Sequence, residues 1–389
     1  MKKVVIVTRR MIMGGIEKSL ISLLETIPND NFDITVLVMG KGGELVEEIP
    51  NHIKIQCLYG NEKSIIEKIM NNIKKAKFIT AFKIVNYTML AKKAATFYQQ
   101  EEYQSKMLPI IDKEFDLAIA YHTPASFPVV YVMNNIKAKT KAVWIHSDVS
   151  EYKRELLPYS KYYERYDKIF CVSRYAKNKF IEMYPKLKGK TEIFYNILDR
   201  EKLELLSLQN EGFSDNFDGT RILTIGRLTS QKGQDILPGI IKELLKAGYN
   251  IRWYCIGDGE ERKKLENLIK DFHLEDHLIL LGTIKNPYPY IKQCDLYVQP
   301  SRHEGYCITL AEARSFNKPI ITTDFVGARE QIEDGLTGKI VNFDEDELFS
   351  AISYLIHNKD LCEKFSSNLK RKNVSSTTWE IKKLYDCFY

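Results

Sequence analysis

Short runs of β-branched and aliphatic residues recur along the chain, each followed by a stretch with helical spacing, and this alternation constrains the fold more than any other property. A first series comprises Lys3–Thr8, Asp33–Met39, Ile53–Leu58, Leu117–Tyr121, Ala142–His146 and Lys168–Val172. Helices are expected after most of these runs, because parallel strands need long crossover connections. A second series comprises Arg221–Ile225, Arg252–Ile256, Leu278–Leu281, Leu296–Gln299, Pro319–Thr322 and Gly338–Val341. No period of about 20 to 50 residues repeats, which excludes a solenoid or propeller. Between the series, Leu205–Thr220 is polar and carries two glycines, so a domain boundary is expected near residues 197–215. The pattern predicts an α/β chain of two Rossmann-like, doubly wound domains facing across a cleft, with ligand at the strand carboxyl ends.

A chain of 389 residues, 44% hydrophobic and 28% charged, is neither a disordered tail nor a disulfide-stapled mini-protein. The first apolar run, Val4–Val7, is too short for a signal-peptide core and is followed by Arg9 and Arg10, so it reads as a buried strand. No apolar stretch approaches the roughly 18 residues that cross a bilayer. The seven cysteines show neither CxxC nor metal-ligand spacing, and their odd number argues against a complete disulfide framework. A reducing cytoplasm fits this usage, and neither a metal nor a tightly bound cofactor is expected.

The net charge of +6 is local. Residues 62–106 hold nine lysines and four glutamates, and there apolar and basic residues interleave at helical spacing. Such a segment suits an anionic membrane surface. It equally suits a pair of helices packed inward with a solvated lysine face. Both readings stand at this level, and nothing points to nucleic acid.

Three stretches carry candidate chemistry. After the first strand, Gly14 and Gly15 open a helix whose amides can face an anion, although a plain tight turn also wants two glycines and the dinucleotide pattern GxGxxG is absent. After Arg221–Ile225, Arg227 and Lys232 place two cations in one strand-to-helix loop, which suits a diphosphate. It is not a P-loop, because the lysine precedes Gly233. The third and most informative stretch runs from Gln299 to Ala313: a strand ends, Glu304-Gly305-Tyr306-Cys307 turns, and Ile308-Thr309 begins a helix that carries Glu312. A glycosidase pair of carboxylates needs about 5 to 5.5 Å for a retaining hydrolase, whereas a mostly helical gap of this length rises up to ~12 Å. Glu304 and Glu312 therefore read as two contacts to one ligand, the hexose for Glu304 and the ribose for Glu312. Salt bridges are the structural alternative for each.

Arg227 to Gly233, Ile256-Gly257-Asp258-Gly259 and Glu304 with Glu312 occur in that order, followed by Lys318–Asp324, Gly327, Glu330 and Asp334–Gly338. In this combination the sequence resembles the retaining GT-B nucleotide-sugar glycosyltransferases of glycosyltransferase family 4, nearly continuously from residue 221 to 345 and sparsely before it. The resemblance implies an acceptor-binding domain over residues 1–200 and a donor-binding domain over 201–372. It also implies a closing helix over 373–389 that returns to the first domain. Arg227 and Lys232 would clamp the donor diphosphate, and Gly305, Tyr306, Cys307, Ile308 and Thr309 would cradle it with backbone amides. His146, at a strand end, resembles the family's histidine near the reacting sugar. Tyr306 and Cys307 stand where Phe and a small Gly or Pro are commoner. The implied activity is metal-independent transfer of a hexose, with retention, from a UDP-sugar to a glycan or lipid-linked acceptor of a surface polysaccharide. An epimerase or phosphorylase of the same architecture, or a catalytically silent sugar-nucleotide binder, are the alternatives.

Overall fold

The computed structural model describes residues 1–40, 42–60, 64–122, 124, 126–149, 153–209, 211–372 and 376–388. Glu62 and Lys63 of the basic segment, and Ser375 and Tyr389 of the terminal one, lie outside them. The chain divides into two compact units, Met1–Ile197 with Thr378–Tyr389, and Leu198–Thr377.

The first unit holds strands β1 (Lys2–Thr8), β2 (Phe32–Val38), β3 (Lys54–Cys57), β4 (Ile111–Tyr121), β5 (Ile136–Ile145), β6 (Lys168–Cys171) and β7 (Thr191–Ile193). They form one parallel sheet in the order β3-β2-β1-β4-β5-β6-β7. Trp144 on β5 is fully buried among Phe170, Phe194 and Tyr121, with ring centroids 4.5, 5.0 and 5.5 Å away. This aromatic cluster fixes the end of β5 on which His146 sits, and emptying it would cost about 3 to 5 kcal/mol.

The second unit holds β8 (Thr220–Ile225), β9 (Ile251–Ile256), β10 (Leu278–Gly282), β11 (Leu296–Gln299), β12 (Ile320–Thr323) and β13 (Lys339–Val341). The order is β10-β9-β8-β11-β12-β13, again parallel. Successive residues face opposite sides, as the period of a strand requires. Ile222, Trp253 and Val298 join one buried cluster with Leu237, Ile241 and Leu348 from flanking helices. Leu223, Tyr254 and Tyr297 join another with Leu310 and Ala313 of the helix Ile308–Ser315. Helical cover on both faces is why the strands read as unbroken apolar runs.

Three differences from the sequence reading have local causes. β4 and β5 begin earlier than their apolar runs, through the charged stretches Asp112-Lys113-Glu114 and Lys137-Ala138-Lys139, because pairing starts at Ile111 and Ile136, which pack on the core, while the charged side chains that follow stay exposed. The basic segment forms three helices, Ile65–Lys74, Phe78–Lys92 and Phe97–Met107, instead of a pair. Only the last two bury any side chain, so inward packing does not describe the first. The terminal segment is not one helix but short turns, Thr378–Ile381, Lys382–Tyr385 and Asp386–Phe388. Tyr385 and Phe388 pack on Phe32 of β2 at 5.2 and 5.6 Å, and Lys383 Nζ donates to the Ile193 carbonyl.

Candidate functional site

In the second sheet β8 and β11 are neighbours although they are far apart in sequence, so the strand order reverses between them. At such a switch point the loops leaving the two strands diverge to opposite faces and open a crevice. The loop after β8 carries Gly226, Arg227 and Lys232; the loop after β11 carries Glu304 to Cys307. Two of the three stretches singled out from sequence therefore converge on one sheet edge.

Three close approaches hold these loops. Gly233 has φ +73°, and a Cβ there would lie 1.9 Å from the Pro300 carbonyl oxygen, so only glycine lets the Lys232 turn pass against the end of β11. A Cβ on Gly257, at φ +137°, would meet the Gly226 carbonyl at 2.1 Å, which explains the Gly257-Asp258-Gly259 motif as support for the cationic loop. Arg302 donates to Asp235 at 2.6 and 2.8 Å and lies over the Phe343 ring, tying the two loops together.

Lys232 and Glu304, which the sequence reading gave separate ligand roles, are partners: Nζ lies 2.5 Å from Oε1, with the side chains 17% and 8% exposed. Ser301 Oγ also donates to that oxygen at 2.9 Å. Behind it a buried relay joins Tyr297, Gln299 and Ser301, with bonds of 2.8 Å at each step, and Thr309 Oγ1 reaches the same Gln299 oxygen at 3.2 Å. Arg227 is exposed and, among the described residues, its guanidinium makes no ion pair. The two cations thus differ: one is held by a carboxylate, the other is open to solvent.

The helix Ile308–Ser315 starts at Cys307, whose backbone is left-handed (φ 61°) and whose side chain does not cap the first turn. The first amides are left to an external acceptor. Gln331 Nε2 donates to the Tyr306 and Cys307 carbonyls, and Gly327, at φ +86°, lets its loop approach the Gly305 carbonyl. Burial pushes the Cys307 thiol well above its ordinary range, so it is a neutral packing group and no nucleophile. The turn through Gly305 and Tyr306 is not helical, and the helix takes up Ile308 to Glu312 of the gap between the two glutamates. Glu312 is buried and accepts a bond of 3.0 Å from Tyr288.

In the first unit, Gly14 precedes the helix Gly15–Thr26 in extended backbone, and Gly15 is its first residue. A Cβ on Gly14 would lie 2.5 Å from the Glu17 carboxylate, which folds back over the helix start. Met13 and Leu45 amides bind the facing strand-loop pieces at Glu44 and Met11, so this turn is anchored by residues 43–45. His146, following β5, is buried against Tyr121, with ring centroids 4.5 Å apart, and burial first and His122 second hold its imidazole down at about 3. His122 itself, following the neighbouring strand β4, is held at about 4 by burial and by Arg9. Sequence reasoning missed His122 and Arg9 as site residues, although each directly follows an expected strand. Both imidazoles are neutral near pH 7 and offer hydrogen bonds without charge.

Residues 207–372 match the family model described as glycosyl transferases group 1. An uncharacterized glycosyltransferase of Methanocaldococcus jannaschii is 34% identical over 246 residues, 58% of this chain and 60% of that one. The chain spans about three fifths of the length of the archaeal relatives it matches. The N-acetylgalactosamine-N,N'-diacetylbacillosaminyl-diphospho-undecaprenol 4-alpha-N-acetylgalactosaminyltransferase of Campylobacter jejuni is 24% identical, over 92% of this chain and 91% of its own. Among solved structures, Anabaena HepE in complex with UDP and glucose superposes with a TM-score of 0.72 at 17% identity, covering 99% of both chains. The fold is GT-B, with two parallel-sheet α/β domains, and the family match lies within the second of them.

Proposed function

We propose, on the premise that residues 207–372 form a group 1 glycosyl transferase domain, that the protein transfers a hexose from a UDP-sugar to a glycan or lipid-linked acceptor in the building of a surface polysaccharide. Transfer proceeds with retention and without a metal ion. The observation that carries this reading is the meeting of the β8 and β11 loops at a switch point, locked by Lys232 and Glu304. Fixed cations and uncapped amides at one strand edge suit a departing diphosphate, since preorganised charge needs no reorganisation as the leaving group gains its own. Arg227 and Lys232 supply the charge, and the amides after Cys307 supply the donors.

Glu304 meets a hydroxyl of the transferred sugar, its Oε1 being engaged by Lys232 and Ser301. Glu312, positioned by Tyr288, meets the ribose. His146 donates or accepts at the sugar as a neutral ring. Attack on the face the leaving group departs from, assisted by the departing phosphate, retains configuration without a carboxylate nucleophile. The Campylobacter relative's undecaprenol-linked substrate supports a lipid-linked acceptor, and the UDP bound by HepE supports a uridine nucleotide. Among the described residues no helix is long and apolar enough to cross a membrane. The reading takes the chain to work in the cytoplasm, at the inner membrane face through residues 62–106.

A screen of nucleotide sugars against glycan and prenyl-diphosphate acceptors by mass spectrometry tests the reading. A product heavier by one hexose is expected. Nucleotide release without a glycan product would favour an epimerase or phosphorylase, and binding without turnover a sugar-nucleotide sensor.

A further inference from the structure

At the amino ends of β4 and β5, the sheet edge opposite the one that carries His122 and His146, the first unit opens a second recess of about 540 Å³. Lys83 reaches it from the helix Phe78–Lys92, Lys106 from the helix Phe97–Met107, and Lys161 and Arg165 from the segment before β6. Glu102 is the carboxylate among these lining residues, and Lys161 Nζ lies 2.8 Å from it while Tyr98 and Tyr162 donate to the same oxygen. That carboxylate neutralises Lys161, leaving Lys83, Lys106 and Arg165 as a net charge of +3 around one space. Lys106 is held over the rings of Tyr87 and Tyr103, 5.7 and 5.8 Å from their centroids.

The surface beside the recess is apolar. Phe78, Ile79 and Phe82 on the same helix as Lys83 are 64, 86 and 74% exposed, and Ile110 on the rim is 55% exposed. A free anion needs no such neighbours, and Lys74, Lys75 and Lys77, exposed at the turn preceding this helix, extend the cationic surround of the apolar side chains. Clustered exposed aromatics with a cationic surround match the boundary of an anionic bilayer.

We propose that the recess seats the phosphate of an anionic membrane lipid while Phe78, Ile79 and Phe82 enter the bilayer beside it, so that the first unit docks by the sheet edge remote from its histidines. The inference rests on the reading that the chain works at a membrane. Flotation with phosphatidylcholine vesicles, with and without phosphatidylglycerol, tests both. The protein should float with the anionic vesicles only. Lys83→Gln/Lys106→Gln/Arg165→Gln should weaken that binding about a hundredfold, whereas Lys74→Gln/Lys75→Gln/Lys77→Gln, which removes equal charge outside the recess, should weaken it by about tenfold less. Phe78→Ser/Ile79→Ser/Phe82→Ser should abolish it. Equal loss from the two charge variants would leave diffuse attraction and overturn the recess alone. No flotation by wild type would overturn the membrane reading and the recess with it. Calorimetric binding of inorganic phosphate that the recess variant loses, without flotation, would assign the site to a free anion and overturn the lipid.

Discussion

Lys232 and Glu304, 72 residues apart in sequence, form an ion pair at 2.5 Å across the two loops that leave β8 and β11. Arg227, on the same loop as Lys232, stands exposed. The two cations should therefore fail differently. Arg227→Ala and Lys232→Ala should each lower turnover about 100-fold, the loss of one preorganised donor. Lys232→Ala should also cost on the order of 2 kcal/mol of stability, because Glu304 is left largely buried without its partner. Sugar-transfer assays beside urea unfolding check both, and near wild-type transfer by two folded variants would remove the diphosphate assignment.

The two glutamates are held by different groups and should separate in binding. Glu304→Gln should lower kcat strongly while UDP still binds, as for a contact strongest in the transition state. Glu312→Gln should weaken UDP itself, and Tyr288→Phe, which removes the bond that orients Glu312, should do the same to a smaller degree. Calorimetry with UDP and turnover at saturating donor read the difference. Loss of UDP affinity in Glu304→Gln alone would reverse the donor's orientation.

Cys307 occupies a left-handed backbone position that most L residues avoid. Cys307→Gly should stay within about 1 kcal/mol of wild type, relief of strain offsetting lost packing. Cys307→Val, β-branched, should lose about 2 kcal/mol or more. Thermal unfolding of the pair decides, and a valine variant as stable as the glycine one would mean that the turn relaxes freely.

His122 and His146 are held at about 4 and about 3 by burial, against an ordinary 6.5. The unfolded chain therefore binds protons that the folded one refuses. Stability from these rings is fully present above about pH 6.5 and is lost as pH falls toward 4 and 3, by about 2 kcal/mol for each ring at pH 5. Glu101, a buried carboxyl raised to about 7, acts with the opposite sign. The readout is therefore the difference between wild type and His122→Gln/His146→Gln in urea unfolding at pH 7 and pH 5. The variant should lose less on acidification, and equal losses would mean that the rings are charged in the fold.

If protein cations and amides alone meet the diphosphate, chelation should leave transfer unchanged. Activity that vanishes in EDTA and returns only with magnesium or manganese would require a divalent ion at the leaving group.

The strands were legible because a sheet covered by helices on both faces demands nearly continuous apolar runs, as in Val4–Val7 and Ile251–Ile256. β7 was not, since Thr191-Glu192-Ile193 is too short and mixed to stand out. Nor were the charged beginnings of β4 and β5, where pairing continues although the charged side chains stay exposed. Glycine spacing disclosed the loops of the site, while the reason for Gly257 and Gly233 emerged only from the carbonyls they face. Partnership between Lys232 and Glu304 has no local signature, because it depends on two strands distant in sequence becoming neighbours.

The relay behind Glu304 has a direction. Tyr297 and Thr309 both donate to Gln299 Oε1, which fixes the amide so that its nitrogen must point at Ser301. Ser301 Oγ accepts that N–H and donates its own hydrogen onward to Glu304. Every donor in the chain is thereby oriented toward one carboxylate oxygen, and Lys232 arrives at the same atom from the other side. Glu304 Oε1 is thus the sink of a one-way series, an atom that accepts from the protein on two sides and hands no proton back through it.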